Sequence, residues 1–196
     1  AVILHTLLNI IRHNMPHPPL TFLWAVQEEI GLVGARNIAT KKLGNPKLCF
    51  NWDGGQSNLL TVGATGAFNV EITIHGRASH AGAHPEQGVS AIAIAGLAIQ
   101  KIVEGGWHGL VVKGKKTGTS NIGVIRGGEA TNVVTDQVVL RAEARSHDPV
   151  FRKKIVEEFV AAFASAARGI KTAGGETGNV EFDSEQRYDS FELEKD

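Results

Sequence analysis

The feature that most constrains the fold is the order of strand-like and helix-like segments that follows Gly63. Strands show apolar residues at a period of two, and helices show them three or four positions apart. Six such segments follow one another: Ala67–His75, Gly88–Val103, Ser120–Ile125, Gln137–Arg145, Phe151–Arg168 and Asn179–Arg187. The order strand, helix, strand, strand, helix, strand (βαββαβ) is typical of a ferredoxin-like sandwich, one sheet with two helices on one face. The Gly/Lys-rich stretch Gly105–Gly118 is predicted to be a mobile loop.

The first part of the chain has a different pattern. Residues 1–14 predict a helix that ends at a proline-rich stretch, because proline removes a backbone donor. Leu20–Val26 and Lys47–Trp52 are apolar runs of strand length, and Leu32–Leu43 between them predicts a helix that ends at Gly44. This order predicts a right-handed crossover in a parallel sheet with helices on both faces.

We therefore expect an α/β chain with two domains. Residues 1–65 would be part of a doubly wound domain, residues 66–190 a ferredoxin-like domain, and residues 191–196 the start of a return to the first. The chain opens on an apolar helix at Ala1 with no initiator Met and no capping residue before it. The expectation is that it has been cut from a longer protein.

Composition narrows the choice of partners. Lys plus Arg and Asp plus Glu both number 20 in the 196 residues, so no basic surplus indicates nucleic acid or an anionic membrane. The apolar start, Ala1–Ile11, is too short to span a bilayer and has no basic leader. The single cysteine, Cys49, excludes an internal disulfide framework and suits a reducing compartment. We expect a cytoplasmic protein that binds small partners.

Carboxylates follow both predicted strands of the first segment. The first strand runs into Glu28 and Glu29, and the second into Asp53. Ligands of parallel α/β sheets bind beyond the carboxyl ends of the strands. Adjacent glutamates repel each other unless a cation or a proton offsets the charge, so a metal site is one interpretation. Simple exposure to solvent is the other, and the residues alone leave both open.

Several motifs together carry a family resemblance. They occur in this order: Val26-Gln27-Glu28-Glu29-Ile30-Gly31, Asp53-Gly54-Gly55, Gly76-Arg77-Ala78-Ser79-His80-Ala81-Gly82, Asn121-Ile122-Gly123, Gly127-Gly128-Glu129-Ala130-Thr131-Asn132 and Glu143-Ala144-Arg145-Ser146. The set resembles the zinc exopeptidase family that contains peptidase T and the glutamate carboxypeptidases, and it is most similar to the peptidase T-like branch. The match extends over nearly the whole chain.

The resemblance implies a role for each acidic residue. Glu28 would be the general base, Glu29 a ligand of one zinc ion and Asp53 a ligand of a second. Two zinc ions per subunit would activate a water for attack, and Glu28 would take its proton. The complete family site also has a His-x-Asp motif, a bridging aspartate and a late histidine, and this chain carries none of these. The resemblance places the bridging aspartate before Ala1.

Three more residues match substrate-binding positions of the family. The resemblance makes the ferredoxin-like domain, residues 66–190, a lid and dimerisation domain. In the homodimer that it would form, His80 would reach the active site of the partner subunit and help bind the scissile carbonyl. Asn132 and Arg145 would contact substrate, since arginine suits a terminal carboxylate. Without the resemblance, Asn132 is an ordinary turn residue and Arg145 an ordinary surface charge.

The sequence thus leads to a metal-dependent exopeptidase, a peptidase T-like tripeptide aminopeptidase acting on short peptides. Two alternatives stay open. The chain on its own could act only as an inactive dimerisation module, and the parent enzyme could be an aminoacylase or a carboxypeptidase of the same family. We expect the 196-residue chain by itself to show little peptidase activity, because it lacks part of the family's metal site.

Overall fold

A computed structural model of the chain describes residues 1–53, 55–56 and 58–194, which form two compact units, Ala1–Leu60 and Thr61–Asp196. Gly54 of the Asp53-Gly54-Gly55 motif lies outside the described residues. So do Lys195 and Asp196, the end of the predicted 191–196 segment. As predicted, the chain belongs to the α/β class.

The first unit contains two helices in its described residues, α1 (Val2–Arg12) and α2 (Val33–Arg36), and a 3₁₀ turn at Thr40–Leu43. Gly44 ends that turn in the left-handed conformation, with φ 74°. None of the described residues of this unit is buried. No helix in the described part of the chain is long and apolar enough to cross a membrane.

The predicted secondary structure of the first unit is wrong in two respects: the strands and the length of the helix between them. Leu20–Val26 and Lys47–Trp52 form no strand, and the predicted crossover is absent from the described residues of this unit. A strand needs a neighbour to pair its backbone N–H and C=O groups, and here neither apolar run has one. The helix predicted over Leu32–Leu43 is reduced to α2 and the 3₁₀ turn, because the chain leaves the helical conformation at Asn37.

The second unit contains the sheets and the two long helices. Its elements are β1 (Gly63–Ala64), β2 (Gly66–His75), β3 (Ser79–His80), α3 (Ala91–Glu104), β4 (Gly109–Lys113), β5 (Lys116–Gly127), β6 (Val133–Val134), β7 (Gln137–Ser146), α4 (Pro149–Gly169), β8 (Asn179–Tyr188) and β9 (Phe191–Glu192), with a 3₁₀ turn at Pro85–Gln87. The main sheet is antiparallel in the order β4-β5-β7-β2-β8. The order β5-β7-β2-β8 is that of the predicted ferredoxin-like sandwich.

The Gly/Lys-rich stretch predicted as a mobile loop is ordered. Residues 109–127 form a hairpin in which β4 extends the main sheet by one strand, with Lys113 paired to Lys116. Val111 is fully buried on this strand, and its neighbours Leu110 and Val112 are exposed. The apolar run Leu110–Val112 is only three residues long, too short to indicate a strand among the neighbouring glycines and lysines.

The core lies between one face of the main sheet and the helices α3 and α4. Its large apolar members that are at most 1% exposed include Ile72, Ile74, Ile94, Ile102, Leu140, Ile155, Phe159 and Phe163. The alternate residues of β7, Arg141, Glu143 and Arg145, lie on the opposite face of the sheet. The period of two along the strands therefore separates an apolar face from a polar one.

Both long helices start with a side-chain cap. Ser90 Oγ accepts a hydrogen bond from Ala93 N (3.1 Å) at the start of α3. Asp148 Oδ1 accepts from Val150 N (2.8 Å) and Phe151 N (3.0 Å) at the start of α4. These caps satisfy backbone donors that the first helical turn leaves unpaired. The bond from Phe151 and the nearby Lys116 lower the pKa of Asp148.

Candidate active-site residues

Glu28 and Glu29 lie on a tight turn of the first unit. The backbone carbonyl of Glu28 accepts hydrogen bonds from Gly31 N (3.1 Å) and Leu32 N (2.8 Å). Gln27 and Leu32, on either side, have left-handed backbones with φ of 56° and 60°. Such values are uncommon for residues other than glycine and concentrate at functional sites. The turn leaves both glutamate side chains exposed to solvent.

Gly34 fixes this turn against the preceding segment. Its N–H donates to the carbonyl oxygen of Val26 at 3.0 Å. A Cβ atom at position 34 would overlap the backbone oxygen and nitrogen of Val26. Only glycine allows the two backbone segments to approach this closely. This close backbone contact therefore requires the glycine at position 34.

Asp53 is also exposed, in an irregular stretch of the same unit. Carboxylate oxygens are ligands that zinc accepts, so the donor type of Glu28, Glu29 and Asp53 suits a metal. A zinc centre takes about four ligands. Among the described residues, no three His, Cys, Asp or Glu side chains are arranged to hold a metal ion. The structure does not bring the three acidic residues together into a metal centre, so these residues alone do not complete one.

His80 and Asn132, which are 52 positions apart in sequence, lie side by side in the second unit. The short strands β3 and β6 pair so that His80 is opposite Val133, the residue after Asn132. Ala81 N donates to the carbonyl oxygen of Asn132 at 2.9 Å. Both side chains are exposed. The structure therefore brings these two predicted substrate-binding residues to one ribbon.

The His80 ring is bonded to its own turn. Its Nδ1 atom accepts hydrogen bonds from Gly82 N at 3.2 Å and from Ala83 N at 3.1 Å. The backbone oxygen of His80 accepts from Ala83 N (3.2 Å) and His84 N (2.9 Å). The four residues that follow His80 thus form a compact turn around one side of the imidazole.

Arg145 lies on β7, on the polar face of the main sheet. Its Nη2 donates to Glu143 Oε2 at 2.8 Å, two residues back on the same strand. This hydrogen bond, opposed in part by burial, raises the pKa of Arg145 and keeps the guanidinium charged. Its Nε atom is buried and has no hydrogen-bond partner among the described residues. The side chain is 42% exposed, so a ligand can reach it.

No sequence motif indicated Glu143 as a partner of Arg145, although an i, i+2 pair on a strand shares one face. In the sheet register, Glu143 lies between Asn69 of β2 and Asn121 of β5. The same polar face thus carries Asn69, Asn121, Glu143 and Arg145. Arg145 belongs to the main sheet, whereas His80 and Asn132 belong to the β3–β6 ribbon.

Comparison with known proteins identifies the family. Residues 62–171 match the peptidase dimerisation domain of the M20 peptidases, which is more than half of the chain. The chain belongs to this family. The resemblance seen in the motifs of the sequence is thereby confirmed.

Two solved structures and one curated protein are similar to this chain over more than nine-tenths of its length. The tripeptidase of Staphylococcus aureus is 32% identical, with a TM-score of 0.78 over 98% of this chain and 48% of that chain. Aminopeptidase PepT of Bacillus cereus is 32% identical, with a TM-score of 0.76 over 95% of this chain and 46% of that chain. The protein YqjE of Bacillus subtilis is 35% identical over 92% of this chain and 45% of its own length. The chain therefore spans about half the length of these relatives.

More distant relatives carry other names. Carboxypeptidase G2 of a Pseudomonas strain is 29% identical over 81% of this chain and 38% of its own length. Acetylornithine deacetylase of Myxococcus xanthus is 31% identical over 143 residues. Similarity within the family therefore extends to enzymes named for different amide substrates.

Proposed function

We propose that the protein containing this chain is a metal-dependent exopeptidase that removes the N-terminal residue from short peptides, with tripeptides as preferred substrates. The proposal rests mainly on the likeness to the tripeptidase and to aminopeptidase PepT over at least 95% of the chain. M20 peptidases are hydrolases, and a peptide bond is the substrate that the names of these two relatives share.

Glu28 is the proposed general base. It takes a proton from the attacking water and passes it to the leaving amine, a role that suits an exposed carboxylate on a hydrogen-bonded turn. Glu29 and Asp53 would each hold one zinc ion, which when bound lowers the pKa of water and polarises a carbonyl. Because the described residues do not complete a metal centre, the proposal requires further ligands from outside the described residues.

His80, Asn132 and Arg145 are the proposed substrate-binding residues. His80 and Asn132, adjacent on one ribbon, would bind the scissile carbonyl and stabilise the charge that develops on its oxygen. Arg145 would bind the terminal carboxylate of the peptide, since its guanidinium can form two parallel hydrogen bonds.

The deciding experiment compares substrates and one pair of variants in the full-length protein loaded with zinc. We expect tripeptides to be hydrolysed faster than dipeptides and N-acyl amino acids. Glu28→Gln should lower kcat by at least about 100-fold, the usual contribution of a general base, with a small change in KM. Glu158→Gln on α4, which removes a carboxylate of the same size, serves as the matched control.

Two outcomes decide against parts of the proposal. Undiminished activity of Glu28→Gln would exclude Glu28 as the base. Faster hydrolysis of N-acyl amino acids or of C-terminal residues would replace the aminopeptidase by the deacylase or carboxypeptidase alternative, which the names of the more distant relatives suggest. For the 196-residue chain alone we expect little peptidase activity; rapid tripeptide hydrolysis that Glu28→Ala abolishes would contradict this.

The proposed assembly is a homodimer formed through the second unit. The outer side of α3 carries Ile92, Leu97 and Val103, which are 49%, 42% and 54% exposed. Gly96 between them has no neighbouring atom within 4 Å of a Cβ position, so this side of the helix is open to a partner. Leu97→Asp should shift the protein from dimer to monomer in light scattering, whereas Val160→Asp on α4 should not. Dimers of Leu97→Asp would show that this side of α3 is not the interface.

A further inference from the structure

We infer that the turn after His80 selects one tautomer of its neutral ring, with the proton on Nε2, and so makes Nε2–H the donor that this residue offers to a ligand. The use of this donor in catalysis rests on the proposed function, whereas the tautomer of His80 does not depend on it.

The geometry leaves one assignment. Both neighbours of Nδ1 are backbone N–H groups, from Gly82 at 3.2 Å and Ala83 at 3.1 Å. A backbone N–H can only donate, so Nδ1 must accept with its lone pair. A neutral imidazole has one protonated nitrogen, so the proton is on Nε2.

The main chain on both sides of the ring is held in place. Before the turn, the pairing of β3 with β6 fixes Ser79 and His80 opposite Val134 and Val133. After it, the bond from His84 N to the backbone oxygen of His80 (2.9 Å) closes the turn. The backbone N–H groups of Gly82 and Ala83 are thus held in position before any ligand binds. Through Nδ1 they keep the Nε2–H of His80 ready to donate, as catalysis by a preorganised donor requires.

The assignment limits what His80 can do. With its proton on Nε2, the neutral ring donates a hydrogen bond to a carbonyl oxygen or to an oxyanion. Nδ1 is already used by the turn, so neither nitrogen of the neutral ring is free to act as a base or to bind a metal. Gly82 and Ala83 are therefore positioning residues that act through their backbone N–H groups.

The chain contains its own control. His17 Nδ1 lies 2.7 Å from the carbonyl oxygen of Pro18. A carbonyl can only accept, so this contact requires the proton of His17 on Nδ1. The two histidines should therefore show opposite tautomers in one sample.

The experiment is a long-range proton–nitrogen correlation spectrum of the ¹⁵N-histidine-labelled 196-residue chain at a pH of about 9, where histidines are neutral. His80→Gln and His17→Gln assign the two rings. We expect His80 to show a protonated Nε2 and an unprotonated Nδ1, and His17 to show the reverse. A protonated Nδ1 in His80, or averaged shifts for its two nitrogens, would overturn the inference.

Two variants test the cause. Ala83→Pro removes one donor and should move the His80 nitrogen shifts toward averaged values, whereas Gly82→Ala keeps its N–H and should leave them unchanged. The added methyl of Gly82→Ala would lie 3.5 Å from the ring, an ordinary contact. Unchanged shifts in a folded Ala83→Pro protein would contradict the role of the turn. If that variant fails to fold, the spectrum of the unsubstituted chain still decides the tautomer.

The spectrum tests the tautomer of His80 and the activity assay tests the proposed function, so one can be contradicted without the other. A protonated Nε2 in a protein without peptidase activity would leave the inference standing and remove the proposed function. A protonated Nδ1 in an active tripeptidase would do the opposite.

Discussion

Arg152 donates a hydrogen bond from Nη2 to Asp189 Oδ1 at 2.9 Å and thereby joins helix α4 to the segment that enters β9. The Arg152 side chain is 1% exposed, although the Asp189 side chain that it binds is 72% exposed. Its Nη1 donates to the backbone oxygen of Ser146 (3.2 Å), and its Cζ lies 5.5 Å from the centre of the Phe68 ring. The buried cation therefore connects α4, β2, β7 and the segment before β9.

Arg152→Ala should lower the free energy of unfolding by about 3 kcal/mol, because it removes charge-assisted hydrogen bonds and leaves a cavity. Asp189→Asn should cost less, about 1–2 kcal/mol, because the amide oxygen of asparagine can still accept the hydrogen bond while the buried guanidinium loses its counter-charge. Urea unfolding followed by circular dichroism measures both. Arg141→Ala, which breaks the exposed pair with Glu71, is the control for a surface ion pair. Equal losses for Arg152→Ala and Asp189→Asn would show that the buried position of Arg152 contributes nothing.

The cap of α4 predicts a pH dependence. The hydrogen bond from Phe151 N, together with Lys116, lowers the pKa of Asp148 from its ordinary value of 3.8. A carboxyl whose pKa is lower in the folded state stabilises the fold above its unfolded pKa and loses this contribution as pH falls through the folded value. Asp148→Asn should therefore reduce the melting temperature at pH 7 and have a smaller effect at a pH below about 3.8.

Asparagine can still cap the helix, so this substitution isolates the charge. Lys116→Gln removes one of the causes of the lowered pKa and should reduce the pH dependence without abolishing it, since the bond from Phe151 remains. A difference between Asp148→Asn and the unsubstituted chain that stays constant from pH 7 to the acid limit would contradict the assignment.

The packing of α4 gives a third prediction. Phe163 is fully buried, and its ring meets that of Phe182 edge to face with centroids 6.2 Å apart. Phe163→Ala should lower the free energy of unfolding by about 3–5 kcal/mol through lost burial and a cavity. Val160→Ala, on the same helix but 37% exposed, should change it by about 0.5 kcal/mol. A similar loss for both variants in urea unfolding would place Phe163 outside the core.

The second unit could be predicted well because its long strands and helices each bury one face. The segment predicted over Gln137–Arg145 is β7, Gln137–Ser146, and the helix predicted over Phe151–Arg168 is α4, Pro149–Gly169. The two-residue strands β3 and β6 could not be predicted, since such short segments have no period. The strand predicted at Leu20–Val26 was wrong because an apolar run does not supply a partner strand.

The candidate site divides in the same way. Glu28, Glu29 and His80 could be proposed as site residues from motifs, which record residue types and spacing. The bond between Arg145 and Glu143, and the two N–H groups at the His80 ring, depend on strand register and turn geometry. No pattern of residue types reports those distances. The roles assigned to the site residues stay predictions: Glu28 as base, Glu29 and Asp53 as metal ligands, and His80, Asn132 and Arg145 as substrate-binding residues.

Gly34→Ala tests whether the shape of the turn that carries Glu28 and Glu29 matters for activity. The added Cβ would overlap the backbone of Val26, so the turn that carries Glu28 must shift. Displacing a catalytic group by about 1 Å can cost on the order of 100-fold in rate. The proposed role of Glu28 as general base therefore predicts that kcat of the full-length protein on a tripeptide falls by about that factor. The core of the second unit does not include Gly34, so its unfolding in urea should be unchanged. Gly169→Ala, whose Cβ has no neighbour within 4 Å, should leave kcat as it is. A Gly34→Ala enzyme with full activity would show that the position of Glu28 is not critical to the reaction.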